Sequence, residues 1–412
     1  MRTIFVFFCA TITLTAQTLL KPDRVFDGIE MHEKWVVFVV GNQIEYSGSG
    51  TEFKTPNDAK IISLNGMTLM PGLIEGHSHL LLHPYNETEW NDQVLKESPV
   101  ERAIRGSIAA KQSLLSGVTS MRDLGAEGAG YTDVYLKKTI DNGLIEGPRL
   151  KVAGPAIVAT GAYGPKGFHD GVTVPLGAEP VSGVDEAIRA VRRQLGNGAN
   201  FIKIYADYRW GKGEPSQPTF LQEELDVMVK TARSAGRYAV AHASTPEGMR
   251  RAIMAGVETI EHGDGGTKEI FELMKEKGVA LCPTVAAGAA IERYKGWRKG
   301  IDLDTDRITK KKASFKLALE TGVHIVFGGD VGVFPHGENY QELELMVEYG
   351  MQPLQVLRSA TAKNAKYLHF EHLGQLKKGY LADIIAVKGN PIKDITKMRE
   401  VGFVMKDGVV IK

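Results

Sequence analysis

The stretch "PGLIEGHSHLLLHP", residues 71–84, decides how this chain is read. It holds three of the chain's eleven histidines, and His77 and His79 stand two positions apart. On a strand, side chains alternate between faces, so His77 and His79 share one face while Ser78 points to the other. Two imidazoles facing an interior are a costly filling unless a cation uses their lone pairs.

Downstream, short apolar runs alternate with helical stretches. The runs are "LMPGLIEGHSH", "GVTSMRDLG", "RLKVAGPAI", "FIKIYADY", "YAVAHA", "VETIEHG", "VALCPTVAAG" and "VHIVFGGDVG". Stretches such as "VDEAIRAVRRQLGN" and "EGMRRAIMAGV" separate them. Eight βα units in series point to a parallel (β/α)8 barrel over residues 71–369. A doubly wound open sheet is the alternative, but it gives no reason for polar residues at so many strand ends. The flanks are different. Residues 17–70 and 370–412 read as short strands broken by turns, as in "KWVVFVVGNQIEYSG" and "VGFVMKDGVVIK", where Asp407-Gly408 is a hairpin signal. Two β segments at opposite ends are expected to pair into one small β-sandwich, since termini often lie close together.

Barrel enzymes place their chemistry at the C-terminal ends of the strands. Here the first strand ends in His77 and His79, the fourth carries Lys203, the fifth His242, the sixth His262 and the eighth Asp330. A lysine facing a barrel interior is strongly desolvated if charged. One solution is to stay neutral and react with CO2, giving a carbamate whose two oxygens can each bind a metal. His242 and His262 are natural ligands for a second ion, and Asp330 can both ligate metal and move a proton. Two divalent ions carry four positive charges; a carbamate, Asp330 and a hydroxide remove three. The remaining charge suits polarising a carbonyl oxygen. The donor set fits Zn²⁺ best, with Mn²⁺, Co²⁺ or Fe²⁺ as other occupants.

The chain is 43% hydrophobic and 24% charged, with ample apolar mass for a large core, and its formal net charge is +1. Nothing in that balance points to nucleic acid or an anionic membrane. The opening "MRTIFVFFCATITLTAQ" has the layout of a cleavable signal peptide, residues 1–16, with an apolar run too short to span a bilayer. The expectation is an exported protein, periplasmic or secreted, with no stable membrane insertion. Cys282 is then the only cysteine of the mature chain, so no intramolecular disulfide forms.

The segments "PGLIEGHSH", "GVTSMRDLG", "FIKIYADY", "VAHA", "IEHG", "GGD" and the closing "LGQLKKGYLADIIAVKGNPIKDI" resemble the amidohydrolase superfamily, in its imidazolonepropionase-like and Xaa-Pro/Xaa-Arg dipeptidase-type branch. The resemblance implies a distorted (β/α)8 barrel flanked by a β-sandwich. It implies that His77, His79 and Asp330 hold one metal, that His242 and His262 hold the second, and that carboxylated Lys203 bridges them. It implies amide hydrolysis by a metal-bridging hydroxide, with Asp330 shuttling the proton and Tyr205 or Tyr208 donating to the oxyanion. A dipeptide or N-acyl amino acid is the expected substrate, and a homo-oligomer is common among such barrels.

Other residues have less claim. His169 in the Gly-rich "ATGAYGPKGFHDG", Arg209, and His336 or Asn339 in "FPHGENYQE" are candidate substrate contacts, the last two for a substrate carboxylate. Arg122 and Asp123 are expected to form a structural ion pair. Competing readings are a mononuclear cyclic-amide hydrolase or deaminase, a lactonase or phosphotriesterase-like enzyme, and a degenerate barrel that binds metal or ligand without catalysis.

Overall fold

The computed structural model describes residues 16–412. The expected signal peptide lies outside them, except for Ala16. Both ends of the described chain meet in one sheet. Its strands bond in the order Val409–Val410, Val401–Lys406, Ile384–Lys388, Lys60–Pro71, Gln17–Phe26, Trp35–Val40 and Gln43–Ser49, with Met31–Glu33 added beside Gln17–Phe26. Runs such as "WVVFVV" favour this state because β-branched and aromatic side chains pack well on a pleated surface. Asp407 and Gly408 both have positive φ, as a tight hairpin turn requires. Register shifts at Pro22/Arg24, Phe38/Val39 and Ala386/Val387 bend the sheet around its own core, which includes Leu20, Val37, Leu69, Ile384 and Met405.

The rest is an α/β barrel. Leu73–Ser78, Val118–Asp123 and Arg149–Val152 pair in parallel. A second parallel arc runs through Ile157–Ala159, Ile202–Tyr205, Ala239–Ala243, Thr259–His262 and Ala280–Cys282. The third unit joins the arcs. "RLKVAGPAI" breaks after Val152 and resumes at Ile157, so its first half pairs with the second strand and its second half with the fourth. The seventh unit departs from expectation. "VALCPTVAAG" is strand only over Ala280–Cys282, and a helix, Val285–Tyr294, begins three residues later. Pro283 has no N–H for a ladder, and Thr284 turns the chain at φ 47.

The eighth unit, around residues 325–331, closes the circle through isolated bridges, Leu281 to Ile325 and Ser78 to Val331. A buried side chain supplies the missing ladder bonds. Asn364 Nδ2 donates to Ile74 O at 2.6 Å and Phe327 O at 2.7 Å, while its Oδ1 accepts from Phe327 N at 3.0 Å. Gly328 is needed here: a Cβ would lie 2.5 Å from Cys282 Sγ and 2.7 Å from His77 N. Asn364→Ala removes three buried hydrogen bonds, although Phe327 O still accepts from Gly76 N at 3.0 Å, so unfolding free energy should drop by roughly 2–3 kcal/mol. Denaturant titration checks this, and a change within ~0.5 kcal/mol would mean the closure does not depend on Asn364.

Candidate active site

Strand ends bring four imidazoles together at the top of the barrel. Ring centroids are 5.4 Å apart for His77 and His79, 5.0 Å for His77 and His262, and 4.6 Å for His262 and His242. Each ring is held from outside by a polar partner. His77 Nδ1 meets Glu261 Oε2 at 2.8 Å, His79 Nδ1 meets Gly125 O at 3.0 Å, and His262 Nδ1 meets Thr284 Oγ1 at 2.7 Å. His242 Nε2 lies 3.6 Å from Asp207 Oδ1. A carboxylate and a carbonyl can only accept, so His77 and His79 carry their hydrogens on Nδ1 and turn the Nε2 lone pairs inward. Burial pushes the imidazoles of His77 and His262 well below their ordinary value and that of His242 down to about 3. The rings are therefore neutral near pH 7, the form that ligates metal.

Asp330 faces them. Its Oδ1 lies 3.5 Å from His77 Nε2 and 3.4 Å from His79 Nε2. Donor atoms sharing one small divalent ion at ~2 Å each stand roughly 3.3 Å apart, so this spacing fits a common ion. Donor atoms of His77, His262 and Asp330 all lie within 4.8 Å of one another. Asp330 and His262 both adopt left-handed backbone, at φ 60 and 73. Such strain persists only where the surroundings over-determine it, as at ligand clamps. Lys203 is fully buried, and its Nζ has no hydrogen-bond partner among the described residues. Burial lowers the pKa of its ammonium, favouring the neutral amine.

A cavity of about 490 Å³ opens above these groups, lined by His77, His79, His242, His262, Asp330, Tyr205, Tyr208 and Arg209 among others. Tyr205 stacks on His242 with centroids 4.6 Å apart, and Arg209 lies over the Tyr208 ring. Three expected substrate contacts do not line the cavity. Asn339 Nδ2 donates to Glu75 Oε2 at 2.7 Å, and buried His336 bonds Leu82 O through Nε2 at 3.2 Å. Both are drawn inward by buried polar groups that need partners. His169 is exposed on its loop, its Nδ1 accepting from Gly171 N. The Arg122–Asp123 ion pair does not form either. Arg122 pairs with Glu261 at 2.8 Å, and Asp123 accepts from Leu80 N and Gly125 N, because neighbours on a strand face opposite ways.

Several supporting residues escaped the sequence reading. Glu75 Oε1 accepts from His77 N and Gly329 N, which fastens the Asp330 loop to the first strand. The alternation that pairs His77 with His79 would have found it. Asp207 receives the backbone N–H groups of Ser244 and Thr245 and so orders the loop after His242. Glu127 and Thr284 lie on loops and carried no spacing signal.

The buried neutral histidines set a pH dependence. The unfolded chain binds protons on these rings below about pH 6.5, while folded His242 does so only near 3. Metal-free protein should lose stability as pH falls from 6.5 toward 4, because the unfolded state takes up more protons there. His242→Gln should make that decline shallower in urea titrations across this range; parallel declines in variant and wild type would show that His242 is not a source of it.

Over residues 68–411 the chain matches the amidohydrolase family. Ochratoxinase from Aspergillus niger is 33% identical over 376 residues, covering 84% of this chain and 75% of that relative. A crystal structure of a Xaa-Pro dipeptidase with methionine bound in its active site superposes with a TM-score of 0.84 at 33% identity, covering 96% of this chain and 100% of the other. A prolidase-like structure from Bifidobacterium longum gives 0.79 at 28% identity, over 97% and 95%. Enzymes of this family generally use metal ions, and the inward-facing donors described above suit one. Matched over most of its length, and carrying its histidines and aspartate at the strand ends, this chain belongs to the amidohydrolase family of hydrolases acting on carbon–nitrogen bonds.

Proposed function

We propose that this protein is a binuclear metallohydrolase that cleaves the amide bond of a dipeptide or an N-acyl amino acid. One observation carries the reading: the buried Nζ of Lys203, without a hydrogen-bond partner among the described residues, beneath four histidines and Asp330. A charged lysine there would have no acceptor for its protons among the described residues, whereas a carboxylated one has both its oxygens to share. In this reading His77, His79 and Asp330 would hold one ion and His242 and His262 the other, with carboxylated Lys203 as a ligand available to both. When bound, two divalent ions, Zn²⁺ above all, supply Lewis acidity that brings a water's pKa toward neutrality and polarises the scissile carbonyl.

The chain's own groups do the rest. Asp330 takes the proton released by the attacking water and delivers it to the leaving nitrogen. Burial raises its pKa, which favours holding that proton between the two steps. Tyr205 and Tyr208 point phenols into the cavity as donors for the developing oxyanion. Burial pushes the Tyr205 phenol well above its ordinary value, so it remains a donor at any working pH. Arg209 offers a cation for a substrate carboxylate. The amino acid in the active site of the similar Xaa-Pro dipeptidase structure supports a peptide-like substrate. In this reading the enzyme acts outside the cytoplasm, after loss of residues 1–16.

The test is metal content by elemental mass spectrometry, after loading with Zn²⁺ and bicarbonate and desalting, alongside a dipeptide and N-acyl amino acid screen. Two ions per chain and amide cleavage are expected. Lys203→Ala should retain at most one ion and lose more than the roughly hundredfold activity that removal of an outer ligand partner costs. One ion in the wild type would point to the mononuclear alternative, and full activity in the variant would remove Lys203 from the site.

A further inference from the structure

One wall of the cavity carries a carboxylate that the mechanism does not use. Glu127 is 2% exposed, lines the cavity and adopts left-handed backbone at φ 47. Its Oε2 accepts from Trp90 Nε1 and from Tyr163 Oη, both at 2.8 Å. Its Oε1 receives no hydrogen bond among the described residues. The only ion-pair distance to it there is 3.8 Å, from His79 Nδ1, and that N–H is already given to Gly125 O. Glu127 is therefore not the partner that orients His79. Arg102, behind the loop, directs its guanidinium to the backbone carbonyls of Leu81, Ala126 and Glu127 rather than to the carboxylate.

Aromatic rings cluster beside this carboxylate, two of them donating to its Oε2. Trp90 and Tyr163 meet edge to face with centroids 5.3 Å apart, and Tyr163 lies 4.7 Å from Tyr205 and 4.8 Å from Tyr208. A carboxylate with a free oxygen, fixed by two aromatic donors at the edge of a cluster of four rings, is built to receive a cation with N–H donors. The carboxylate sits one imidazole ring away from Asp330, since His79 has Glu127 on its Nδ1 side and Asp330 on its Nε2 side. That short reach matches an amino group close to the scissile carbonyl.

We infer that Glu127, beside the Trp90, Tyr163, Tyr205 and Tyr208 cluster, binds a primary ammonium on the acyl side of the substrate and so selects free peptides over N-acylated ones. The inference rests on the amide-hydrolase reading and narrows its substrate class. An α-amino group and the end of a lysine-like side chain present the same chemistry to this oxygen.

The experiment compares glycyl-methionine, N-acetylglycyl-methionine and 6-aminohexanoyl-methionine on the metal-loaded wild type, Glu127→Gln and Glu127→Asp. Wild-type kcat/KM should favour an ammonium-bearing substrate over the acetylated one by about 10- to 100-fold. A preference for the glycyl peptide assigns the α-amino group, and one for the aminohexanoyl peptide assigns a side chain. Glu127→Gln should erase the preference by slowing only the ammonium substrate, while Glu127→Asp keeps part of it. Competitive inhibition by methylammonium in the wild type, against the ammonium substrate alone, gives the same answer if Glu127→Gln fails to fold. Equal rates on free and acetylated peptides, or an equal loss on both in Glu127→Gln, overturn the assignment but leave amide hydrolysis standing. If no peptide is cleaved, the amide reading falls. Calorimetry with glycinamide against N-acetylglycinamide on wild type and Glu127→Gln then decides the ammonium site, with equal affinities overturning it.

Discussion

The carboxylate of Glu261 is the joint on which the site is built. It lies fully buried between Arg122 at 2.8 Å and His77 at 2.8 Å, and Thr259 donates to it as well. Arg122 in turn donates to Gly76 O at 2.7 Å. This chain ties the first, second and sixth strands together beneath the cavity. Burying such a pair is offset only when its protons and lone pairs find partners, and here Arg122 donates to Thr259 Oγ1 at 3.1 Å as well. Removing Arg122 or Glu261 would leave the other charge buried without its partner, and removing Glu261 would also release His77 from its orientation.

The eighth unit is held by different means, and that difference matters for chemistry. A regular strand would place Asp330 in register with a ladder and give it an ordinary backbone. Here backbone bonds to the first strand, such as Asp330 N to His77 O at 2.8 Å, are reinforced by the side chains of Asn364 and Glu75, and residues 328–330 turn sharply through a glycine pair into a left-handed aspartate. His262 is strained in the same sense, with its ring fixed by Thr284. The barrel thus stores strain at two of its inward-facing donors, Asp330 and His262, and offsets it with buried hydrogen bonds elsewhere.

Chemistry and selectivity occupy different parts of the fold. The donors sit on strand ends, where packing holds them within tight limits. Much of the rest of the cavity wall comes from the segments after the strands: Trp90 opens the helix after the first, and Glu127, Tyr163 and Arg209 lie on loops after the second, third and fourth. Rigid elements position reacting groups, while loops can change without disturbing them. Relatives named for different substrates, such as ochratoxinase and a Xaa-Pro dipeptidase, are in keeping with that division.

The alternation of His77 with His79, the metal-capable residues at successive strand ends, and the β-rich flanks were all legible in the linear chain. They are local: strand period, βα rhythm and turn chemistry depend on near neighbours. The barrel, the sheet from both ends and the convergence of His77, His79, His242, His262 and Asp330 follow from that pattern. What the linear chain did not disclose depends on contacts between residues far apart in it. Glu261 reaches His77 across 184 positions, and Asn339 reaches Glu75 across 264. The same applies to Asn364, which reinforces the eighth unit, and to Arg122, which turns from its neighbour Asp123 to Glu261. Buried polar groups take whichever partner the folded interior presents, because an unpaired one there is expensive. Only the tertiary structure decides that choice, and with it which polar residues support the site and which face the substrate.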